Sequence, residues 1–292
     1  FTISMTATKP KKHVMFTIPF SVNRNSEYEA FALGCEVRNI AIVRQLVRGK
    51  KRYFVQFSFA GTRYNKGRVI GSGIVGIDPA PSKIAVVSDS RIMITTLASL
   101  VRRDEREIRR LQRKLDRSRR ATNPEMYNDD GTIKRGIKLH FDKSDSYRRT
   151  QAKLSDNQRK LAAKRKIEHN KLANKIITMG NEFHVEINSF KGMQARAKET
   201  KQNAKGRNQS KKRFGKSLAN RAPAEMLSIL KNKVAQYNEG IYVEIPASTA
   251  CTQFDFTNGM FTKHDDLSER VIRTSDGQLH HRDALAAFNM RF

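Results

Sequence analysis

Three acidic residues sit where a folded chain can least easily leave them. Asp78 closes the apolar run Gly73-Ile74-Val75-Gly76-Ile77-Asp78, and Glu186 lies inside Phe183-His184-Val185-Glu186-Ile187. Asp283 opens the last helical stretch, Asp283-Ala284-Leu285-Ala286-Ala287-Phe288-Asn289-Met290. A carboxylate at the end of an apolar strand is costly unless a cation meets it. Two magnesium ions would meet all three, and magnesium held by a few carboxylates and substrate phosphate makes a phosphodiester-cutting site. The acids are 108 and 97 residues apart, so spacing alone does not unite them. Their settings do: two strand acids, and a third in the first turn of an apolar helix, facing the positive end of its dipole. The plain alternatives are an exposed strand residue for Glu186 and a simple helix N-terminal acid for Asp283. Glu244, in Ile241-Tyr242-Val243-Glu244-Ile245, is a rival second ligand.

Everything around these acids is basic. The 292 residues carry 57 Lys+Arg against 28 Asp+Glu, a formal net charge of +29. That balance points to a polyanion, nucleic acid before an acidic membrane surface. The charge is concentrated: 13 basic and 3 acidic residues over 1–70, 24 and 11 over 102–176, and 13 and 2 over 191–233. Residues 234–292 reverse the sign, with 5 basic and 8 acidic residues. A cationic surface enclosing an anionic centre suits a magnesium nuclease, with phosphates outside and metal inside. No apolar run is long enough to span a membrane, and no signal peptide is visible. Only Cys35 and Cys251 occur, which excludes a disulfide framework and favours a reducing compartment. The chain opens on Phe1 and stops soon after Asp283, so both ends of the natural protein are expected to lie outside this sequence.

Local patterning divides the chain near residue 70. Residues 1–70 read as β-rich, with strands at Val14–Ile18, Val37–Val47 and Tyr53–Phe59 and a basic turn Arg48-Gly49-Lys50-Lys51. A hairpin follows, Ile74–Asp78 with Ile84–Ser88. Period-two alternation puts Gly76 and Asp78 on one face and Val75 and Ile77 on the other, and the small residues beside the acid leave room for a metal or a phosphate. Leu97, Leu100, Val101, Ile108, Leu111 and Leu115 predict a helix over 96–120. Its other faces carry Arg102, Arg103, Arg106, Arg109, Arg110 and Arg113, a nucleic-acid-gripping surface. A second helix is predicted over 147–179, so that 96–179 forms a basic helical hairpin. Residues 191–222, with Lys211, Lys212 and Arg213, read as a flexible basic loop ordered by its ligand. Pro223 suits the first turn of a helix. Residues 251–278 read as irregular. Lys50, Lys51 and Arg52 complete the predicted nucleic-acid contacts. No zinc site is expected, because Cys251 with His264, His280 or His281 lacks zinc-ligand spacing. No P-loop and no Ser or Cys nucleophile is indicated.

Together these segments resemble the TnpB family, transposon-encoded RNA-guided DNA endonucleases related to the type V CRISPR effectors. The resemblance is carried in order by Gly76-Ile77-Asp78-Pro79, by Val185-Glu186-Ile187-Asn188-Ser189-Phe190-Lys191-Gly192-Met193, and by Arg282-Asp283-Ala284-Leu285-Ala286-Ala287-Phe288-Asn289, similar to the family's three RuvC motifs. It extends to the Arg-rich helix, the loop 211–220 and the strand Tyr53–Phe59. It implies an α/β fold: an RNase H-like (RuvC) nuclease domain over 71–292 with the hairpin 96–179 and loop 191–222, behind an incomplete β-rich wedge domain over 1–70. It also implies Asp78, Glu186 and Asp283 as ligands of two Mg2+ ions, a guide non-coding RNA and target double-stranded DNA as partners, and a prokaryotic, cytoplasmic, nucleoid-associated setting without a membrane. The family's four-cysteine zinc ribbon is reduced here to Cys251, so its counterpart must fold without zinc. The competing readings are a nuclease-inactive RNA-guided DNA-binding regulator, a structural RNA-binding protein and a guide-free resolvase.

Overall fold

The computed structural model describes residues 2–292 apart from 10, 11, 24, 62, 63, 65, 103, 201, 204, 205, 207–213 and 263–268. The chain divides into two compact units, residues 1–68 with 110–156, and residues 69–109 with 157–292.

In the first unit, strands β1 (Thr2–Lys9) and β2 (Lys12–Pro19) pair antiparallel. Helix α1 (Glu27–Leu33) starts at Ser26, whose hydroxyl accepts the Glu29 amide at 3.3 Å. Strands β3 (Val37–Val47) and β4 (Lys50–Phe59) form a second hairpin with Val47 opposite Lys50. The turn is therefore only Arg48–Gly49, and Lys50 and Lys51, expected in the turn, belong to β4. Rings of Phe20, Phe57 and Phe59 pack with centroids 5.3 and 5.8 Å apart.

The second unit is built on a five-stranded mixed sheet. Strands β5 (Ile74–Pro79), β6 (Lys83–Val87) and β7 (Ile92–Thr96) follow one another antiparallel, while β8 (Glu182–Ile187) and β9 (Ile241–Pro246) run parallel to β5, giving the order β7-β6-β5-β8-β9. Two helices, α2 (Glu105–Thr122) and α3 (Asp145–Ile177), stand between β7 and β8. Parallel neighbours need such crossovers, because a tight turn cannot return the chain to the same end of the sheet. Between β8 and β9 lie α4 (Phe190–Met193), α5 (Gly215–Arg221) and α6 (Pro223–Val234). Val75 and Ile77 point into the main core with Phe183, Val185, Ile176, Met226 and Leu230, all essentially inaccessible to solvent. Each such side chain contributes about 1.5–3 kcal/mol on burial.

Gly76 and Asp78 lie on the opposite face with Ala85 and Val87, covered by α7 (Arg282–Asn289). The space beside Gly76 is not left for a ligand. A Cβ there would collide with the Ala287 carbonyl, so the missing side chain is what lets the backbone of α7 lie on β5.

Two further expectations change. The helix predicted from residue 96 begins at Glu105, because Leu97 is buried in the core and the Arg221 guanidinium takes the Leu97 and Ala98 carbonyls at 3.1 and 2.6 Å. Those are acceptors a continuing helix would use, and Ala98 has a left-handed φ of 45°. The predicted loop 191–222 contains α4 and α5, the latter anchored by buried Leu218 and by Arg165, whose Nη1 donates to the Ala219 carbonyl at 3.0 Å.

Residues 251–281 hold two short hairpins rather than an irregular stretch, β10 (Phe254–Asp255) with β11 (Met260–Phe261) and β12 (Val271–Arg273) with β13 (Leu279–His281). One carboxylate joins them. Asp255 Oδ1 accepts the Thr257 amide and hydroxyl at 2.9 and 2.6 Å, and Oδ2 accepts the Ser275 amide and hydroxyl at 2.8 and 2.7 Å. Asn289 ties this region to α7, donating to the Cys251 and Phe254 carbonyls at 2.8 and 2.7 Å.

Candidate active site

Of the three acids expected to act together, Glu186 and Asp283 both lie close enough to raise the pKa of Asp78. In the parallel pairing of β5 with β8, Ile77 stands opposite Val185, so one step further along the register brings Asp78 beside Glu186. Both acids stand at the C-terminal ends of these strands, where sheets of this kind present their chemistry. The third acid arrives on α7, seated across β5 and β6, and Asp283 is buried in the first turn of that helix.

Electrostatics register the convergence. Burial, then the charge of Glu186, then that of Asp283 push the Asp78 carboxyl up to about 7, with Arg282 opposing them. A carboxyl displaced this far by burial, with two neighbouring carboxylates adding to it, is a feature found at functional sites. The Cys251 thiol is pushed up as well, by burial first and then by Glu186 and Asp78, so it lies within the field of the same acids.

Two of the acids, Glu186 and Asp283, have a local support. Asn188 donates its Nδ2 to Glu186 Oε2 at 2.7 Å and to the Pro79 carbonyl at 2.9 Å, joining the ends of β8 and β5. His281 caps α7, its Nδ1 accepting the Asp283 amide at 3.3 Å. Asp283 Oδ1 lies 3.4 Å from Arg270 Nη1 and 3.6 Å from Arg282 Nε. Among the described residues, no group of three or more His, Cys, Asp or Glu side chains is already disposed to hold a metal ion. Glu186 and Asp283 both act on Asp78, while two arginines pair with Asp283.

Glu244 does not join them. It pairs with Val185 across β8 and β9, whereas Glu186 pairs with Ile245, so the two glutamates face opposite sides of the sheet. Lys231 Nζ holds Glu244 at 2.6 Å.

No family model and no curated protein matches this chain. Among solved structures, it is similar to a chain in the cryo-EM structure of a CRISPR-Cas12f ternary complex, at 14% identity and a TM-score of 0.39 over 87% of this chain. The match spans 45% of that protein's length.

The basic residues expected to touch nucleic acid fall into two groups. Arg102 in the turn before α2, Arg106, Arg109, Arg110 and Arg113 on α2, and Lys50, Lys51 and Arg52 on β4 are exposed. Arg103, Lys211, Lys212 and Arg213 lie outside the described residues, as does His264. Among the described residues no helix is long and apolar enough to cross a membrane.

Asn188, Arg270 and Arg282 were not identified from sequence as parts of this centre. Asn188 was findable in principle, since residues two apart on a strand share a face and an amide there can reach the acid. Arg270 carries no local signal, because it reaches Asp283 only through the fold of the second hairpin.

Proposed function

We propose that this chain is a metal-dependent DNA endonuclease with an RNase H-like (RuvC) nuclease unit, guided by RNA and encoded by a transposon. One observation carries the reading: Glu186, on the parallel strand beside Asp78, and Asp283, in the first turn of α7, both act on the Asp78 carboxyl although they are remote from it in sequence. The sheet supports it as well, since β6 alone runs against the other four strands and the first two acids lie on the adjacent parallel strands β5 and β8. So does the net charge of +29, which suits a polyanionic substrate.

The donor set fits magnesium. Three carboxylates offer only hard oxygen ligands, and the Glu186 and Asp283 charges that add to burial in raising the Asp78 pKa are ones a cation would offset. Asp78, Glu186 and Asp283 would hold the ions, which supply water acidified for attack and charge to stabilise the leaving oxygen. The chain's own residues do the positioning. Asn188 fixes Glu186, His281 fixes the first turn of α7, and Arg270 and Arg282 hold Asp283 until a competing cation displaces them. The exposed arginines of α2 and the basic face of β4 would hold RNA and the RNA–DNA duplex by backbone and shape, with base pairing reading sequence.

The pairing of Asp283 with two arginines favours a second reading, a nuclease-inactive RNA-guided DNA-binding regulator. Asp78→Ala separates the two. Under the nuclease reading it abolishes magnesium-dependent cutting of a guide-matched duplex and leaves binding of the copurified RNA nearly unchanged. If the unaltered protein carries a defined RNA and binds its target but never cuts, the regulator reading replaces it.

A further inference from the structure

The connector between α2 and α3 is ordered and hollow. Asn123 is fully buried and closes it, donating Nδ2 to the Arg119 and Asp142 carbonyls at 2.8 and 3.0 Å and accepting the Asp142 amide at 2.6 Å. Inside the connector Tyr127 bridges Ile133, and Asp130 accepts the Thr132 amide and hydroxyl at 2.8 and 2.6 Å. These bonds frame an open cavity of about 960 Å³ that belongs entirely to the first unit.

The lining has one sign of charge. Arg119, Arg120, Lys134 and Arg135 contribute to it, and no lining residue is acidic. The two arginines are held in place beforehand. Asp116 accepts Arg119 Nη2 at 3.2 Å and Arg120 Nε at 3.0 Å, which sets both guanidinium planes. Arg119 lies over the Phe141 ring and Arg120 over the Tyr127 ring, 5.2 and 5.5 Å from the centroids. Gly131 has a φ of 76°, and a Cβ on it would come within 2.5 Å of Arg120 Nη1. Two of the lining residues each carry a buried polar atom without a partner, Arg119 Nε and Tyr127 Oη. A buried donor left unpaired is unfavourable, and an incoming acceptor removes that cost. The rest of the lining includes Ile133, Ile137 and Leu139, large apolar side chains left open to solvent.

Fixed cations, orphan donors and an open apolar floor need a ligand that is anionic at one end and flat and apolar at the other. We propose that this cavity receives an unpaired nucleotide of a bound nucleic-acid strand. Its phosphate would face the guanidinium and ammonium groups, and its base would cover the Ile133, Ile137 and Leu139 side chains. A duplex offers only its phosphates here, because its bases remain stacked inside. The inference rests on the nucleic-acid-binding part of the proposed function and is independent of cleavage.

The test uses the full chain in chelator, so that nothing is cut, with fluorescence anisotropy at fixed salt. The probes are a labelled single-stranded RNA of 20 nucleotides or so and a blunt duplex of the same sequence. Lys134→Ala/Arg135→Ala removes two of the four lining cations and, separately, Tyr127→Phe removes the orphan hydroxyl. Arg106→Ala/Arg109→Ala removes equal charge elsewhere. The cavity variants should weaken single-strand binding about tenfold, the scale of one hydrogen bond to a charged group, and duplex binding less than twofold, whereas the control weakens both alike. A strand bearing a photoreactive thiouridine should crosslink to the peptide containing residues 127–139. If the cavity variants lower strand and duplex affinity equally, or inorganic phosphate displaces the strand as well as a mononucleotide does, the assignment is overturned while nucleic-acid binding stands. If the unaltered chain binds neither probe, both readings fail together.

Discussion

The carbonyl of Ala287 occupies the space a side chain at Gly76 would need. This contact sets the height of α7 above β5, and so the distance of Asp283 from Asp78. Gly76→Ala should force the helix off the sheet and destabilise the protein by about 1–3 kcal/mol or more, read from the urea midpoint at constant slope. It should also return the Asp78 pKa toward the ordinary carboxylate range, measured by carbon-detected NMR. An unchanged midpoint would mean that α7 does not rest on β5 as described.

Asn188 holds Glu186 by one amide hydrogen and Pro79 by the other. Asn188→Ala frees the carboxylate and unlinks the two strand ends. Groups that orient ligands in this way typically matter ten- to a hundredfold for metal affinity or activity. The expected outcome is a rise of roughly that size in the magnesium concentration for half-maximal cleavage, with the circular dichroism spectrum unaltered. Asn188→Asp should be worse, because it adds a like charge beside Glu186.

Asp78 predicts how stability depends on pH. Its folded pKa, about 7, lies above the unfolded value near 3.8. A raised carboxyl favours the folded state while it is protonated. Its contribution is fully present below the unfolded pKa and is lost as pH rises through the folded one. Between about pH 4 and 7 the metal-free chain should therefore lose stability from this group, up to a few kcal/mol. Asp78→Asn should flatten that part of the profile and raise the melting temperature at pH 8. Thermal melts across pH in chelator measure it, and identical profiles for the two proteins would contradict the assignment.

Asp255 behaves in the opposite sense. Four hydrogen bonds, two from hydroxyls and two from amides, hold its carboxylate well below the usual range. Its contribution is present above the unfolded carboxylate pKa and is lost as pH falls below it. Asp255→Ala should lower the melting temperature and raise hydrogen exchange in 251–281. Because the clip is a carboxylate, a strong zinc chelator should leave the melting temperature of the unaltered protein unchanged. A chelator-induced drop would point to a metal in the second unit.

Much of the sheet was legible in the chain because period-two patterning is local. Val75 and Ile77 announce a buried face, and Asp78 announces that the other face ends in charge. The prediction of a helix from residue 96 failed for a non-local reason: Arg221, more than a hundred residues away, takes the carbonyls of Leu97 and Ala98. The hairpins at 254–261 and 271–281 were missed because their strands are too short for a repeat to appear.

The sequence by itself determined which acids had to be accounted for, since a carboxylate in an apolar run is a local fact. Only the tertiary structure decided which of them meet. Parallel register set Asp78 beside Glu186, and sheet parity turned Glu244 to the far side. The absence of one side chain at Gly76 let Asp283 approach on α7. The reason is physical: strand pairing and helix docking act between segments about a hundred residues apart, where no periodicity in the chain carries a signal.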